Sequence, residues 1–404
     1  MSDTITLSND TILYLQDGDG PLHERIANAL ETAIVEGRLR PGDRLPTHRA
    51  LSQQFDVSIG SITRAIDTLS ARGVVRGEIG RGTFVLEHGA LRDDGGVVEL
   101  SINAPSPVLT ADMLARASSV ANRVALNLPN GGYVDLTGTE RQREIFAQFI
   151  SAHRVAVTAD EILLCNGAQQ GLHLAFAAMK EVSPLILTER ATFPGAIAAA
   201  VNLGMTMMPV AHDEDGMLPE ALDTELKATG AKCIYLVPVC QNPFGFEMSA
   251  ARRRAIVEVV RKHGATIVED DIYGHYATKP APTFREMVPE QVIYVGSLSK
   301  NGTPLVRAGY VVPPVSLVAG MRKRLRAEGW GLPPYVAEMA AALIETGVVA
   351  ETTALLKAEA KLRMGMAQSI LGLGAIAMPQ GASHVFLPLP AAQAEQVVRR
   401  AGEA

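Results

Sequence analysis

The chain has 404 residues, 47% hydrophobic and 20% charged, enough for two or three domains with a large buried core. Its net charge of −6 argues against a nucleic-acid binder overall, so any DNA contact has to come from how charge is distributed. No apolar run reaches the roughly 18 residues of a membrane span, the acidic N-terminus lacks a basic leader, and Cys165, Cys233 and Cys240 have no metal-like spacing, so a cytoplasmic, metal-free protein is expected.

Residues 1–20 read as an N-terminal arm. From Pro21 to Glu36, apolar residues fall at Leu22, Ile26, Ala29, Leu30, Ala33 and Ile34, one face of an amphipathic helix. Pro46-Thr47 starts a short helix to Phe55, Asp56-Val57 makes a turn, and Ser58 caps a second helix to Arg72. Val74–Arg76 and Thr83–Leu86 read as two short strands around glycines. Helix, helix–turn–helix and hairpin make a winged helix over residues 21–87. Every long basic side chain from 21 to 90 is arginine. Arg38, Arg40, Arg44 and Arg49 crowd the approach to the turn, where they can contact phosphates while the second helix reaches base edges. GRLRPGDRLPTHRAL, VSIGSITRAIDTL and RGTFV resemble the DNA-binding domain of the GntR regulators. That resemblance implies that Arg44, Thr47 and Arg49 lie at the DNA backbone or groove edge. It places Ser58, Ser61, Thr63 and Arg64 on the recognition helix, and Arg81 and Gly82 at the wing tip. The family often carries a larger polar or basic residue where this chain has Ile59 and Gly60.

Residues 88–97 are polar and glycine-rich, a flexible connector. From residue 98 to 404, apolar runs alternate with helical stretches. Strands are expected at Ile162–Cys165, Pro184–Leu187, Cys233–Val237, Ala265–Glu269 and Val292–Val295, and helices at Gln169–Lys180, Pro194–Leu203 and Ala250–His263. Such alternation predicts an α/β body with a mostly parallel sheet covered on both faces. Ligands in such sheets sit at the carboxyl ends of strands.

At the end of the Val292 strand comes Gly296-Ser297-Leu298-Ser299-Lys300, with Arg307 close behind. A lysine just past a buried strand can be partly desolvated, which disfavours its ammonium form and makes it a nucleophile toward carbonyls. Ser297, Ser299 and Arg307 suit a phosphate. An amine for an aldehyde and a cradle for a phosphate are what pyridoxal 5'-phosphate requires. Four further segments fall at strand ends: Asn166-Gly167-Ala168-Gln169, whose helix start suits a phosphate, Thr192-Phe193-Pro194-Gly195, Gln241-Asn242-Pro243, and Glu269-Asp270-Asp271-Ile272-Tyr273.

This ordered set resembles the fold type I aminotransferases. The resemblance implies that Lys300 forms the internal aldimine and that Asp270 pairs with the pyridine nitrogen. It implies that Tyr273 and Asn242 bond the ring 3-hydroxyl and that Phe193 stacks on the ring. Gly167, Ala168, Gln169, Ser297, Ser299 and Arg307 would hold the phosphate, and Tyr133 would reach the phosphate of a partner subunit in a homodimer. Asp271 is the adjacent alternative to Asp270, which is preferred because it lies three before Tyr273. A GntR head joined to an aminotransferase-like body is the arrangement of the MocR subfamily. The expected function is a pyridoxal phosphate-dependent transcriptional regulator binding operator DNA and sensing a small amine, an amino acid or the cofactor itself. The alternative is an active aminotransferase with a DNA-binding module. PQGASHVFLPLP, around His384, resembles the start of the final unit of the family's small domain, which is expected to be shortened here. An arginine that binds the substrate carboxylate usually follows, so sustained transamination is expected to be weak or absent.

Overall fold

The computed structural model describes residues 21–35, 38–40, 42–71, 74–78, 82–86, 102–278, 281–371 and 383–403. The arm at 1–20, Arg81 and the connector at 88–97 lie outside them. The chain divides into two compact units, Met1–Leu100 and Ser101–Ala404.

In the first unit, α1 (Leu22–Val35) buries Ile26, Leu30 and Ala33 against α2 (His48–Phe55) and α3 (Ile59–Ala71). Thr47 caps α2, its hydroxyl accepting from Ala50 N at 3.2 Å. The α2–α3 turn depends on Asp56, which adopts φ 51° and donates its N–H to Ser52 O. Aspartate tolerates this left-handed conformation better than most side chains. Ser58 then caps α3, accepting from Ser61 N at 3.1 Å. Strands β1 (Val75–Glu78) and β2 (Gly82–Val85) pair antiparallel with Val75 opposite Val85, and Arg44 bridges to Phe84. This is the winged helix read from the sequence.

The second unit is built on a seven-stranded sheet. Its strands are β3 (Leu163–Cys165), β4 (Leu185–Glu189), β5 (Thr206–Val210), β8 (Cys233–Leu236), β9 (Thr266–Asp270), β10 (Val292–Ser297) and β11 (Gly309–Val312). A small hairpin, β6 (His212–Asp213) with β7 (Gly216–Met217), stands apart from it. The sheet order is β3-β11-β10-β9-β8-β4-β5, parallel except where β11 pairs antiparallel with β10 and β3. Around the sheet lie α4 (Ala111–Ala125), α5 (Glu140–His153), α6 (Gly167–Lys180), α7 (Pro194–Asn202), α8 (Pro219–Thr229), α9 (Ala250–His263) and α10 (Phe284–Met287). After the sheet come α11 (Val315–Gly329), α12 (Pro334–Glu345), α13 (Val348–Leu371) and α14 (Ala391–Glu403).

Successive strand residues alternate between two cores, one on each face. Ile234, Leu236, Ile267 and Tyr294 belong to one, and Cys233, Tyr235, Val268 and Ile293 to the other. Both faces are buried, so the strands read as continuous apolar runs. All three cysteines are buried and free. Among the described residues no single helix is long and apolar enough to cross a membrane.

The register sets the site. Strands β4, β8, β9 and β10 run parallel, and β10 to β9 pairing puts Val295 beside Asp270. Antiparallel β11 enters at the same edge, with Gly309 opposite both Ser297 and Cys165. The Asp270, Lys300, Arg307 and Gly167 segments therefore meet at one end of the sheet.

Candidate active site

Lys300 is half-buried just past β10. Burial lowers its ammonium pKa first, and the positive charge of Arg307 lowers it further, against a smaller opposing pull from Asp270. Tyr276 fixes the backbone here by donating its hydroxyl to Lys300 O at 2.8 Å. The Lys300 Nζ donates to Asn103 O and lies 6.0 Å from the centre of the Tyr273 ring. An amine so placed loses part of its hydration, which favours its neutral, nucleophilic form.

Asp270 and Asp271 are both buried but are engaged differently. Tyr235 donates its hydroxyl to Asp270 Oδ2 at 2.8 Å. Burial is the main reason the Asp270 carboxyl is pushed up to about 6, with the Tyr235 bond opposing. Asp271 is held by Arg154 through two bonds of 2.6 and 2.9 Å and by the Tyr294 hydroxyl at 2.7 Å. Asp271 is thus committed to a structural ion pair. Asp270 is the carboxylate that shares a neighbourhood with Lys300 and Tyr273.

A phosphate cradle forms where α6 begins. Asn166 precedes the helix without capping it through its side chain, so the first-turn N–H groups at Gly167, Ala168 and Gln169 suit an anion. Gly167 sits at φ 70° with Arg307 alongside: a Cβ there would meet the guanidinium at 3.4 Å. Gly309 must also be glycine, because its Cβ would come within 2.5 Å of the Gly167 backbone. Ser297 donates to Ala308 O at 3.1 Å and its Oγ lies 2.9 Å from Ser299 Oγ, which orders both hydroxyls. A cavity of about 520 Å³ opens here, lined by Asn166, Gln169, Asn202 and Arg307 among others.

Gln169 spends its side-chain amide on Gly195 O at 2.7 Å, leaving its backbone N–H for the cradle. Phe193 is half-buried and packs against Gly195, where a Cβ would lie 2.4 Å from the ring. Asn242 is half-buried after β8 and joined to Pro243 by a cis bond. Tyr133 is 77% exposed. An amine, a neighbouring carboxylate and phenol, and a glycine-floored cradle with a guanidinium fit pyridoxal phosphate.

Sequence reading missed Tyr235, Asn103 and the Arg154–Asp271 pair, and gave His384 no role. A tyrosine inside the apolar run Cys233–Leu236 was the available signal for Tyr235, since a buried phenol needs a partner.

In the first unit, Arg44, Thr47, Arg49, Ser58 and Arg64 are exposed. The Arg44 guanidinium lies against Gly82, whose Cβ would meet it at 2.6 Å. The Ser61 hydroxyl pairs with Ser58 at 2.9 Å. Thr63 is half-buried, donating to Ile59 O at 3.0 Å and lying 3.1 Å from His48 Nδ1.

Residues 96–400 match the aminotransferase class I and II family, and residues 22–85 match the bacterial regulatory proteins of the gntR family. The chain belongs to the aminotransferase class I and II family. Its two parts together make it a MocR-type regulator. It is similar to the HTH-type pyridoxine biosynthesis transcriptional regulator PdxR of Corynebacterium glutamicum, at 26% identity over 86% of this chain and 78% of that one. It is also similar to the probable rhizopine catabolism regulatory protein MocR of Rhizobium meliloti, at 24% over 76% and 68%. Among solved structures, an archaeal alanine:glyoxylate aminotransferase superposes with a TM-score of 0.67 at 24% identity, over 76% of this chain and 81% of that one. The α-aminoadipate aminotransferase LysN of Thermus thermophilus, complexed with N-(5'-phosphopyridoxyl)-L-leucine, gives 0.63 at 23%, over 71% and 75%. The MocR-type chain is thus a transcriptional regulator with an aminotransferase-like body, and pyridoxal phosphate is the cofactor that body takes.

One buried acid beside the site gives a pH test. Glu189 is 1% exposed at the end of β4, and burial pushes its carboxyl up to about 8. The folded chain therefore holds a proton that the unfolded chain has lost, so stability drains as pH rises from the ordinary glutamate range to about 8. Glu189→Gln removes that cost. The variant's melting temperature, relative to the parent, is expected to climb between pH 5 and pH 8 and then level off. A difference that stays flat with pH would show that Glu189 ionises freely in the fold.

Proposed function

We propose that the body holds pyridoxal phosphate on Lys300 and uses it to sense a small amine, an amino acid or the cofactor itself. Ligand occupancy then biases how a homodimer presents its winged helices to operator DNA in the cytoplasm. The observation that carries this reading is the meeting of the Lys300, Asp270, Tyr273 and Arg307 segments at one end of the sheet. Bound there, pyridoxal phosphate supplies an electrophilic carbon and an electron-accepting ring.

Each protein group has a separate task. Lys300 is the nucleophile, readied by desolvation. Asp270 would hold the proton on the pyridine nitrogen of a bound cofactor, and Tyr235 fixes the rotamer of its carboxylate. Tyr273 and Asn242 would hold the ring oxygen, and Phe193 would pack on the ring. The α6 N-terminus, Ser297, Ser299 and Arg307 take the phosphate. Tyr133, exposed on its own protomer, serves the partner's site.

Sensing requires a ligand that binds the DNA-competent and DNA-incompetent states with different affinity. Footprinting on the protein's own promoter region, with and without pyridoxal phosphate and a panel of amines, tests the reading. A footprint that no ligand alters would overturn it. The complete Lys300–Asp270–Tyr273 set also favours a second reading, an active aminotransferase. Sustained turnover of roughly one per second or faster, with amino donors and 2-oxo acids, would promote that reading.

Asp270→Asn is expected to weaken retention of pyridoxal phosphate by about tenfold to a hundredfold. A charge-assisted hydrogen bond contributes roughly 1.5–3 kcal/mol, and asparagine keeps the shape while losing the charge. Equilibrium dialysis of the cofactor measures it, and parent-like retention would remove Asp270 from the assignment.

A further inference from the structure

We propose that Asn103 is a positioning residue for Lys300 and Tyr273, and that His384 locks Asn103 in place. The inference rests on Lys300 being the cofactor lysine. Asn103 lies at the start of the second unit, far in sequence from every group it touches. Its backbone carbonyl accepts from Lys300 Nζ. Its side-chain Nδ2 donates to the Tyr273 hydroxyl at 2.9 Å and lies 3.2 Å from His384 Nδ1. His384 Nε2 in turn lies 3.1 Å from Gln241 O.

The chemistry of these groups fixes the direction of every bond. Gln241 O is a carbonyl and can only accept, so the proton sits on His384 Nε2. A neutral imidazole carries one N–H, which makes Nδ1 the acceptor for one Asn103 hydrogen. Burial favours that neutral ring by lowering the His384 pKa. The second Asn103 hydrogen goes to Tyr273, whose oxygen must accept it. The phenol's own hydrogen then points elsewhere, free for a ligand atom. A hydroxyl that accepts one bond is also a better donor in the next.

The far end of the relay is anchored. Gln241 is buried, and its side chain donates to Ala191 O at 2.9 Å. Gln241, His384, Asn103 and Tyr273 thus form one connected chain from the β4–α7 loop to the phenol beside Lys300, with Asn103 donating in both directions. Among the described residues, Asn103 is the one that bonds both the Lys300 amine and the Tyr273 hydroxyl. It holds the amine before a carbonyl compound arrives and keeps the phenol oriented afterwards.

The test compares His384→Leu, His384→Asn, His384→Gln and Asn103→Leu in the full-length chain. Glutamine carries a donor and an acceptor spaced much like the two ring nitrogens, whereas asparagine is too short to span Gln241 O and Asn103. The readouts are the visible absorption band of the pyridoxal phosphate-loaded protein, its cofactor dissociation constant, and the melting temperature of the cofactor-free protein. Losing one neutral hydrogen bond weakens binding by about fivefold. That weakening and a displaced band are expected in both Leu variants and in His384→Asn, with His384→Gln restoring both. If the Leu variants do not fold, the Gln and Asn variants decide the question alone. Equal bands and affinities in all folded variants overturn the proposal. So does a Gln variant no better than Asn, or losses that follow melting temperature alone. Absence of any band in the parent protein instead defeats the Lys300 reading beneath it.

Discussion

Lys300→Ala is expected to abolish covalent capture of pyridoxal phosphate. The parent protein, mixed with the cofactor, should develop a visible band, and borohydride should then fix one pyridoxyl group on the peptide carrying Lys300. The physical case is that an ordinary surface lysine is almost wholly protonated at neutral pH, whereas Lys300 is desolvated and pushed down further by Arg307. It also stands 6.0 Å from the ring centre of a tyrosine at the carboxyl end of the sheet. Alanine removes the nucleophile but leaves Arg307, the first turn of α6 and Asp270 in place. The variant should therefore still take up the cofactor non-covalently and reversibly, and borohydride should fix nothing. Lys300→Arg keeps a positive charge without a usable nucleophile and should fail in the same way. A parent-like band with the label on another lysine would move the covalent site elsewhere and dissolve the sensing proposal with it.

Much of the fold could be read from the sequence because strong local signals agreed with the tertiary structure. Pro194 and Gly264 mark real helix boundaries, and the apolar runs at Cys233, Thr266 and Val292 are strands buried on both faces. Edge strand β5 was missed because Thr206-Met207-Met208-Pro209-Val210 is partly exposed and contains a proline, which demotes a strand pattern.

The site was legible in proportion to how local its parts are. Lys300, Ser297, Ser299 and Arg307 lie on one short stretch and were read together. Asp270 and Asp271 are adjacent in sequence with the same side-chain chemistry. What separates them is Tyr235 on one and Arg154 with Tyr294 on the other, partners drawn from distant elements. Asn103 meets His384 across 281 positions. No spacing rule reaches that far, so such pairs emerge when the sheet is closed.

The DNA-binding unit leads to the second large effect. Arg44, Arg49 and Arg64 are exposed, and a guanidinium left in water is available to neutralise a phosphate. Each phosphate so neutralised adds about 0.9 to the dependence of log affinity on log salt. Three contacts therefore add about 2.7, which between 1 M and 0.15 M salt amounts to roughly a hundredfold in affinity. The triple variant Arg44→Ala, Arg49→Ala, Arg64→Ala is expected to lose that factor near 0.15 M salt, with its salt slope shallower by about 2.7. Near 1 M salt the variant and parent should converge, because the counterion term vanishes there. The cofactor band should be unchanged, since all three residues belong to the other unit. Titrating a promoter fragment by fluorescence anisotropy at several salt concentrations measures both quantities. A variant that lost affinity while keeping the parent's slope would show that these arginines read bases or support the fold. A variant with unchanged affinity would place the DNA contact on another surface of the protein.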